Sequence, residues 1–278
     1  MKLIAQVSSF HTWLNHDDPF CATMYQPTYD VQSDLYLTGT WILIFFAIDL
    51  VFKHVIGWMV KEHNTRYFTL HVICNGIVTC MAFPDTVRVY MVPAEEIFMD
   101  PVTDTRACMI IAALHIYHIL AYQPLNAVDW THHILMVVIT LPLAYGMQPG
   151  PLLNHGAFFA SGLPGGLDYL MLVCVKAGWM KSIEEKRINS NIQSWLRNPG
   201  MLYHALYTWS MWIAMRSDKE LGKRAMEKSL YSSSFMFGFA AITTVICYFW
   251  NGPYFQQRVA ENYGLKSQQR TQSNRKKM

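Results

Sequence analysis

Five stretches of the chain contain no Asp, Glu, Lys or Arg: 67–84, 107–128, 130–167, 198–215 and 230–257. Inside them the apolar positions run on continuously instead of alternating. A half-solvated strand alternates, whereas a helix surrounded by hydrocarbon is apolar on every side. A spanning helix needs roughly 20 mostly apolar residues. Residues 35–58 are a further candidate, with Asp49, Lys53 and His54 toward one end. The 130–167 stretch is too long for one span. It holds Pro142, Gly146, Pro149-Gly150-Pro151 and Asn154, so it divides at Gln148–Asn154. The pattern predicts an all-α polytopic transmembrane bundle of about seven spans: 35–58, 67–84, 106–123, 130–147, 155–176, 199–215 and 229–251. The second and sixth are short, so six spans are the alternative. Continuous apolar runs argue against a β-barrel.

Composition supports this. Charged residues make up 15% of the 278 and hydrophobic ones 52%, against roughly 25% charged in soluble domains. That deficit excludes an ordinary soluble enzyme and a disordered chain. A net charge of +3 is too small to imply nucleic-acid binding. Three parts follow: an exposed N-terminal segment (1–34) without typical signal-peptide character, a membrane domain (35–253), and a basic, solvated tail (254–278). The tail ends Asn274-Arg275-Lys276-Lys277-Met278, which loosely resembles a dilysine retrieval signal of the endoplasmic reticulum. Cys74, Cys80, Cys108, Cys174 and Cys247 fall in spans and Cys21 stands alone, so neither a thiolate metal site nor a disulfide framework is expected.

Lys and Arg set the expected orientation. Lys61 and Arg66, then Lys176, Lys181, Lys186, Arg187 and Arg197, then the tail fall on one side of a seven-span chain, which is read as cytosolic. The second loop (Asp85, Glu95, Glu96, Asp100, Asp104) is acidic and falls opposite. The sixth loop (Arg216, Lys219, Lys223, Arg224, Lys228) is basic yet falls opposite too, in conflict with the rule.

Ionisable side chains inside spans are costly and mark candidate sites. His54, His71, His115, His118, His132, His133, His155 and His204 lie in or at the ends of spans. His115 and His118 share a helix face, and Asp129 precedes His132 and His133 by three and four residues. Asp129 is expected near a helix N-terminus, orienting one imidazole with its carboxylate. Adjacent His residues point about 100° apart on a helix, so one faces the bundle interior. Asp168 follows Ser161-Gly-Leu-Pro-Gly-Gly-Leu167 in mid-span. Its expected partner is His118, His133 or Lys176, and its glycines permit close helix approach or a broken helix. His132, His133, Asp129 and Asp168 are the candidate catalytic set. His115, His118, Tyr122, Asn154 and His155 are the candidate substrate-binding set, with Asn154 and His155 closing the cavity on the non-cytosolic side. Asp49 is expected to pair with Lys53, and His71 and Asn75 to be packing polar groups. Trp58, Trp130, Trp179, Trp195 and Trp250 are expected in the interface belt.

From His132-His133-Ile134 onward the sequence resembles the TLC family, the domain shared by ceramide synthases and the translocating-chain-associating membrane protein. In ceramide synthases His-His-Ile is followed by an apolar helix, a short turn and a helix carrying Asp. Here His132-His133-Ile134, the turn at Gln148–Asn154 and Asp168 stand in that order, with Ser161–Asp168 where those enzymes carry a paired-Asp motif. The span pattern extends the resemblance over about 35–253, but the matching motif covers only about fifty residues. The resemblance implies an endomembrane protein whose His pair transfers an acyl group from acyl-CoA to an amine or hydroxyl lipid. It implies no other cofactor. Two other readings stand beside it. One is a non-catalytic lipid-binding regulator, favoured if the His pair is locked in interhelical hydrogen bonds. The other is a His-rich metalloenzyme, for which HxxH and DxxHH supply fewer ligands than the usual His boxes. Membrane lipid is the expected partner, with a homodimer or a larger membrane complex compatible with the sequence.

Overall fold

A computed structural model describes residues 29–55, 63–100 and 104–275. Most of the expected N-terminal segment, Cys21, Trp58 and the last three residues lie outside these. Among the described residues the chain is all helical. In chain order the helices are α1 (Val31–His54), α2 (His63–Met91), α3 (Ala94–Met99) and α4 (Arg106–Ala121). Next come α5 (Ala127–Met147) and α6 (Leu152–Lys176). Then follow α7 (Ser182–Ile192), a π-helical segment (Gln193–Arg197), α8 (Asn198–Ser217), α9 (Lys219–Lys228) and α10 (Ser234–Arg275). Five helices are long and apolar enough to cross a membrane: α1, α2 from Thr65, α5, α6 and α10 to Gln269. The chain is an integral membrane protein. The remaining two predicted spans, α4 and α8, are also helices at the expected places. Their neighbours shield them: α4 is buried from Ala107 to Ile111 and again at Ala113, Leu114 and His115, so it needs less length and apolarity of its own.

α2 is central. It packs on α6 and α4; α1 covers α4, and α10 packs against α8 and α5. The turn between α5 and α6 is tight, with Gln148 at φ 50° and Gly150 at φ 62°. A Cβ on Gly150 would fall 2.8 Å from the Asp100 carbonyl oxygen, so this position requires glycine. The turn closes at Pro151, and Asn154 lies inside α6 rather than in the turn. Chain ends and caps follow sequence chemistry. Asp30 caps α1 by accepting from Gln32 N at 3.0 Å, Asn126 caps α5 by accepting from Val128 N at 2.9 Å, and Asp218 caps α9 by accepting from Glu220 N at 2.9 Å.

Three expectations are corrected. Asp49 does not pair along its own helix with Lys53; it accepts from Arg66 Nε at 3.0 Å, Tyr117 Oη at 3.0 Å and Tyr122 Oη at 2.7 Å. Lys53 points outward, and two phenols plus a guanidinium outcompete an exposed i,i+4 pair. The expected tail from 254 continues α10 as helix to Arg275. It is held against α7 by Lys266 on Ser182 and against the π segment by Gln256 Nε2 donating to Ser194 Oγ at 3.1 Å. Third, the conflicting sixth loop is partly answered by the second: Arg224 reaches Glu95 at 2.8 Å, and Lys228 donates to the carbonyls of Phe98 and Asp100. Burial pushes the Lys228 ammonium down to about 8, against the pull of Asp100. The second and sixth loops therefore meet on one face, as an odd number of crossings between them and the basic face requires. Trp179 and Trp195 are exposed on that basic face, as an interface belt demands.

Replacing Asp49 with Ala strands Arg66, Tyr117 and Tyr122 together. The expected loss is about 1–3 kcal/mol of stability, read as a lower unfolding midpoint in detergent, with Lys53→Ala neutral. Equal midpoints for the two variants would remove Asp49 from its place as the tie between α1, α2 and α4.

Candidate functional site

Three helical runs of the bundle contain π-helical segments: His133–Thr140 in α5, Phe158–Gly162 in α6, and Gln193–Arg197 before α8. A π turn widens the helix and displaces a carbonyl from its ordinary partner, and such turns concentrate at functional sites. All three border one polar cavity of about 130 Å³, whose walls include His133, Ser161, Gln193 and Arg197. The Ala160 carbonyl, whose α-helical donor would be the N–H that Pro164 lacks, accepts from the Arg197 guanidinium at 3.0 Å.

The His residues converge here from three helices. His115 lies 5.7 Å from His132 and 5.1 Å from His133, ring centre to ring centre, and His118 lies 4.8 Å from His133. His71 of α2 stands 5.7 Å from His118 and 6.2 Å from His115. Backbone carbonyls can only accept, so they fix the proton positions. His71 Nδ1 donates to Tyr67 O at 2.9 Å and His115 Nδ1 to Ile111 O at 2.8 Å. His133 Nδ1 donates to Asp129 O at 2.5 Å, which leaves its Nε2 to accept from His118 Nδ1 at 3.1 Å. Both ring nitrogens of His133 are therefore spent. His132 is different: its Nδ1 is buried without a hydrogen-bond partner, as is His71 Nε2, and both rings line the cavity. Across the cavity Asp168 accepts from Asn189 Nδ2 at 2.6 Å. Arg197 donates to Asn251 Oδ1 at 3.0 Å while its Nε has no partner. The site thus offers imidazole lone pairs, a carboxylate and an uncommitted guanidinium N–H around one space. A smaller apolar void of about 60 Å³ adjoins it, sharing His115, His132, Ala160 and Ser161 and bounded by Tyr248.

The structure brings His132, His133, Asp129, Asp168 and His115 to this cavity. The Asp129 carboxylate does not orient a histidine; it accepts from Asn126 Nδ2 at 2.7 Å, and its backbone carbonyl holds His133 instead. The capping Asn126 captures the carboxylate first. Asp168 is held by Asn189, whereas the expected partners His118 and His133 bond each other. Tyr122 is turned to Asp49. Asn154 and His155 lie apart from this cavity, near the other membrane face. Asn154 donates to Asp85 Oδ2 at 2.8 Å and to the Asp104 carbonyl at 2.9 Å. His155 pairs with Tyr90 Oη at 3.0 Å and stacks on His204 at 5.6 Å. They do not close the cavity, because α6 starts at the opposite face and the cavity borders its far half.

His71, Asn75, Tyr169, Gln193 and Arg197 line the cavity too, and sequence reasoning did not place them there. The signal was a polar stripe at four-residue spacing: Tyr67, His71 and Asn75 on α2, and Asn189, Gln193 and Arg197 on the α7–α8 run. Gly165 and Gly166 let α2 approach α6 at Asn75, where an added Cβ would fall 2.9 Å and 3.3 Å from Asn75 atoms. Among the described residues no group of three or more His, Cys, Asp or Glu is arranged to hold a metal ion. No protein-family model, curated protein or solved structure matches the chain.

Gly165→Val forces Asn75 from its hydrogen bond with Ser161 Oγ (2.8 Å). The expected loss is about 1–3 kcal/mol from overpacking, with a lower unfolding midpoint in detergent. Gly39→Val, where nothing lies within 4 Å, serves as the comparison, and an equal effect there would refute the tight α2–α6 contact.

Proposed function

We propose that this integral membrane protein is a lipid acyltransferase, with His132 as general base. The observation that carries the reading is the buried His132 Nδ1, unpartnered in the wall of a polar cavity that also contains the free Nε–H of Arg197. In this mechanism an amine or hydroxyl lipid attacks the carbonyl carbon of an acyl thioester. His132 takes the proton of the attacking group as the new C–N or C–O bond forms. Arg197 Nε–H meets the oxyanion. The C–S bond then breaks, and the thiolate leaves with the proton from His132. His133 is a positioning residue, holding α5 to α4 through His118. Asp168 stands where an acceptor ammonium is favoured. Acyl-CoA is the co-substrate. The order His132-His133-Ile134, turn, Asp168 supports the same reading through its resemblance to the TLC family.

The basic face supports a cytosolic placement of the site. Arg66, Lys181, Lys186, Arg187, Arg258 and Lys266 gather at the cavity's end of the bundle. A second reading, a lipid-binding regulator without catalysis, draws support from the His133–His118 bond between helices.

Purified protein incubated with mixed acyl-CoAs and lipid amines or alcohols is expected to yield acylated lipid. His132→Gln is expected to lower the rate about 100-fold or more while keeping co-purified lipid. His133→Gln should lower the unfolding midpoint as well as the rate. Lipid retained by both proteins with no acylated product in either would favour the regulator.

A further inference from the structure

A second hollow lies apart from the His cavity. It is an open groove of about 1040 Å³ between α8, α9 and the first turns of α10. Its trough is apolar, with Trp212, Met226, Phe239, Ile242 and Ile246 along it. Gly238 lets the Trp212 ring settle into the floor, since an added Cβ would stand 2.6 Å from it. Exposed apolar side chains alone are what any span shows to lipid. The rim is what sets this groove apart: Arg216, Lys219 and Lys223 stand along it, and no acidic residue lines it.

α9 divides its cations between two faces. Arg224 and Lys228 are spent on Glu95 and on the carbonyls of α3 and Asp100. Arg216 and Lys219 have no carboxylate within ion-pair distance among the described residues, and Lys223 has only a long, exposed contact of 3.9 Å with Glu227. The nearby Asp218 carboxylate is occupied in capping α9. Arg216 lies 5.7 Å over the Trp212 ring, which places its guanidinium at the top of the apolar trough. Cations at headgroup level above an acyl-sized trough between helices match a phosphate headgroup with its chains attached.

We propose that this groove binds an anionic phospholipid, with phosphate on Arg216, Lys219 and Lys223 and acyl chains along Phe239, Ile242 and Ile246. The site is on the membrane face opposite the His cavity and is independent of the acyltransferase reading. The full chain in detergent, titrated with phosphatidylserine or phosphatidylcholine of identical chains, is read by native mass spectrometry. The protein is expected to retain phosphatidylserine at least about tenfold better. The Arg216→Gln/Lys219→Gln/Lys223→Gln variant should bring the ratio to about one. A control with equal charge removed from the basic face, Lys53→Gln/Lys181→Gln/Arg187→Gln, should keep the preference. Ile242→Trp, which fills the trough and spares the rim, should lower phosphatidylserine retention by itself. No preference in the parent protein overturns the proposal, as does equal loss in both triple variants. If the rim variant does not fold, unchanged retention by Ile242→Trp overturns it and reduced retention upholds it.

Discussion

An imidazole inside a membrane span has no water to bond to, so every ring nitrogen must find another helix, its own backbone or a cavity. That constraint organises the core of this protein. His71 and His115 turn back to carbonyls of their own helices, and His133 spends both nitrogens, one on Asp129 O and one on His118 of the neighbouring helix. The only short way to place such groups together is to bring α2, α4, α5 and α6 close. Gly165 and Gly166 make that approach possible at Asn75. The π segments complete it. Beside them Pro164, which has no N–H, leaves the Ala160 carbonyl to hold a buried guanidinium that would otherwise be costly.

The two ends of the bundle meet the same constraint in different ways. At the basic face a single carboxylate, Asp49 of α1, gathers a guanidinium from α2 and two phenols from α4 and its C-terminal cap. At the other face buried carboxylates meet both cations and neutral donors: Asp85 pairs with Arg88 at 3.3 Å and Asp104 with Arg106 at 2.6 Å. Asp34 accepts from Thr105 Oγ1 at 2.7 Å and Tyr145 Oη at 2.5 Å, and Asp85 accepts from Asn154. Half of the α9 cations, Arg224 and Lys228, are answered there by the second loop. Loop charge counted along a sequence cannot see this cancellation, since residues 95 and 224 are distant in the chain.

The spans were legible because hydrocarbon imposes a continuous apolar run: each of the seven predicted spans falls largely in a helix, though α2 runs on to Met91 and α10 starts at Ser234 and continues to Arg275. The site was only partly legible. Asp129, His132 and His133 were drawn to one place by spacing, yet their roles were not. Asn126 captures the Asp129 carboxylate before it can orient a ring, and the bond of His133 to His118 leaves His132 as the ring of the pair with an unpartnered nitrogen. Neither competition shows in residue types at i+3 and i+4. The polar stripes at 67, 71 and 75 and at 189, 193 and 197 were visible but ambiguous, because one stripe alone reads as helix packing. Only their meeting across α6 turns them into cavity walls. The continuation of α10 past residue 254 was hidden for the same reason. Its polar residues look solvated until Gln256 and Lys266 find partners on the α7–α8 run.

Size limits what the cavity can hold as it stands. An apolar void of about 60 Å³ beside a polar space of about 130 Å³ takes reacting groups but not a long acyl chain, given roughly 30 Å³ for a single water. A long-chain substrate reacting at His132 must therefore leave its chain in the bilayer. The wall that separates the two is the π segment of α5. Met136, Val137 and Thr140 line the void, while Ile134 and Val138 on the same segment are exposed toward lipid. A π-helix is a weaker hydrogen-bonded structure than the α-helix on either side of it, and Met is the most pliant of apolar side chains. The segment that follows His132 and begins at His133 thus also stands between the void and the outer face of the bundle. On the proposed reading, a substrate chain reaches His132 past these eight residues, His133–Thr140.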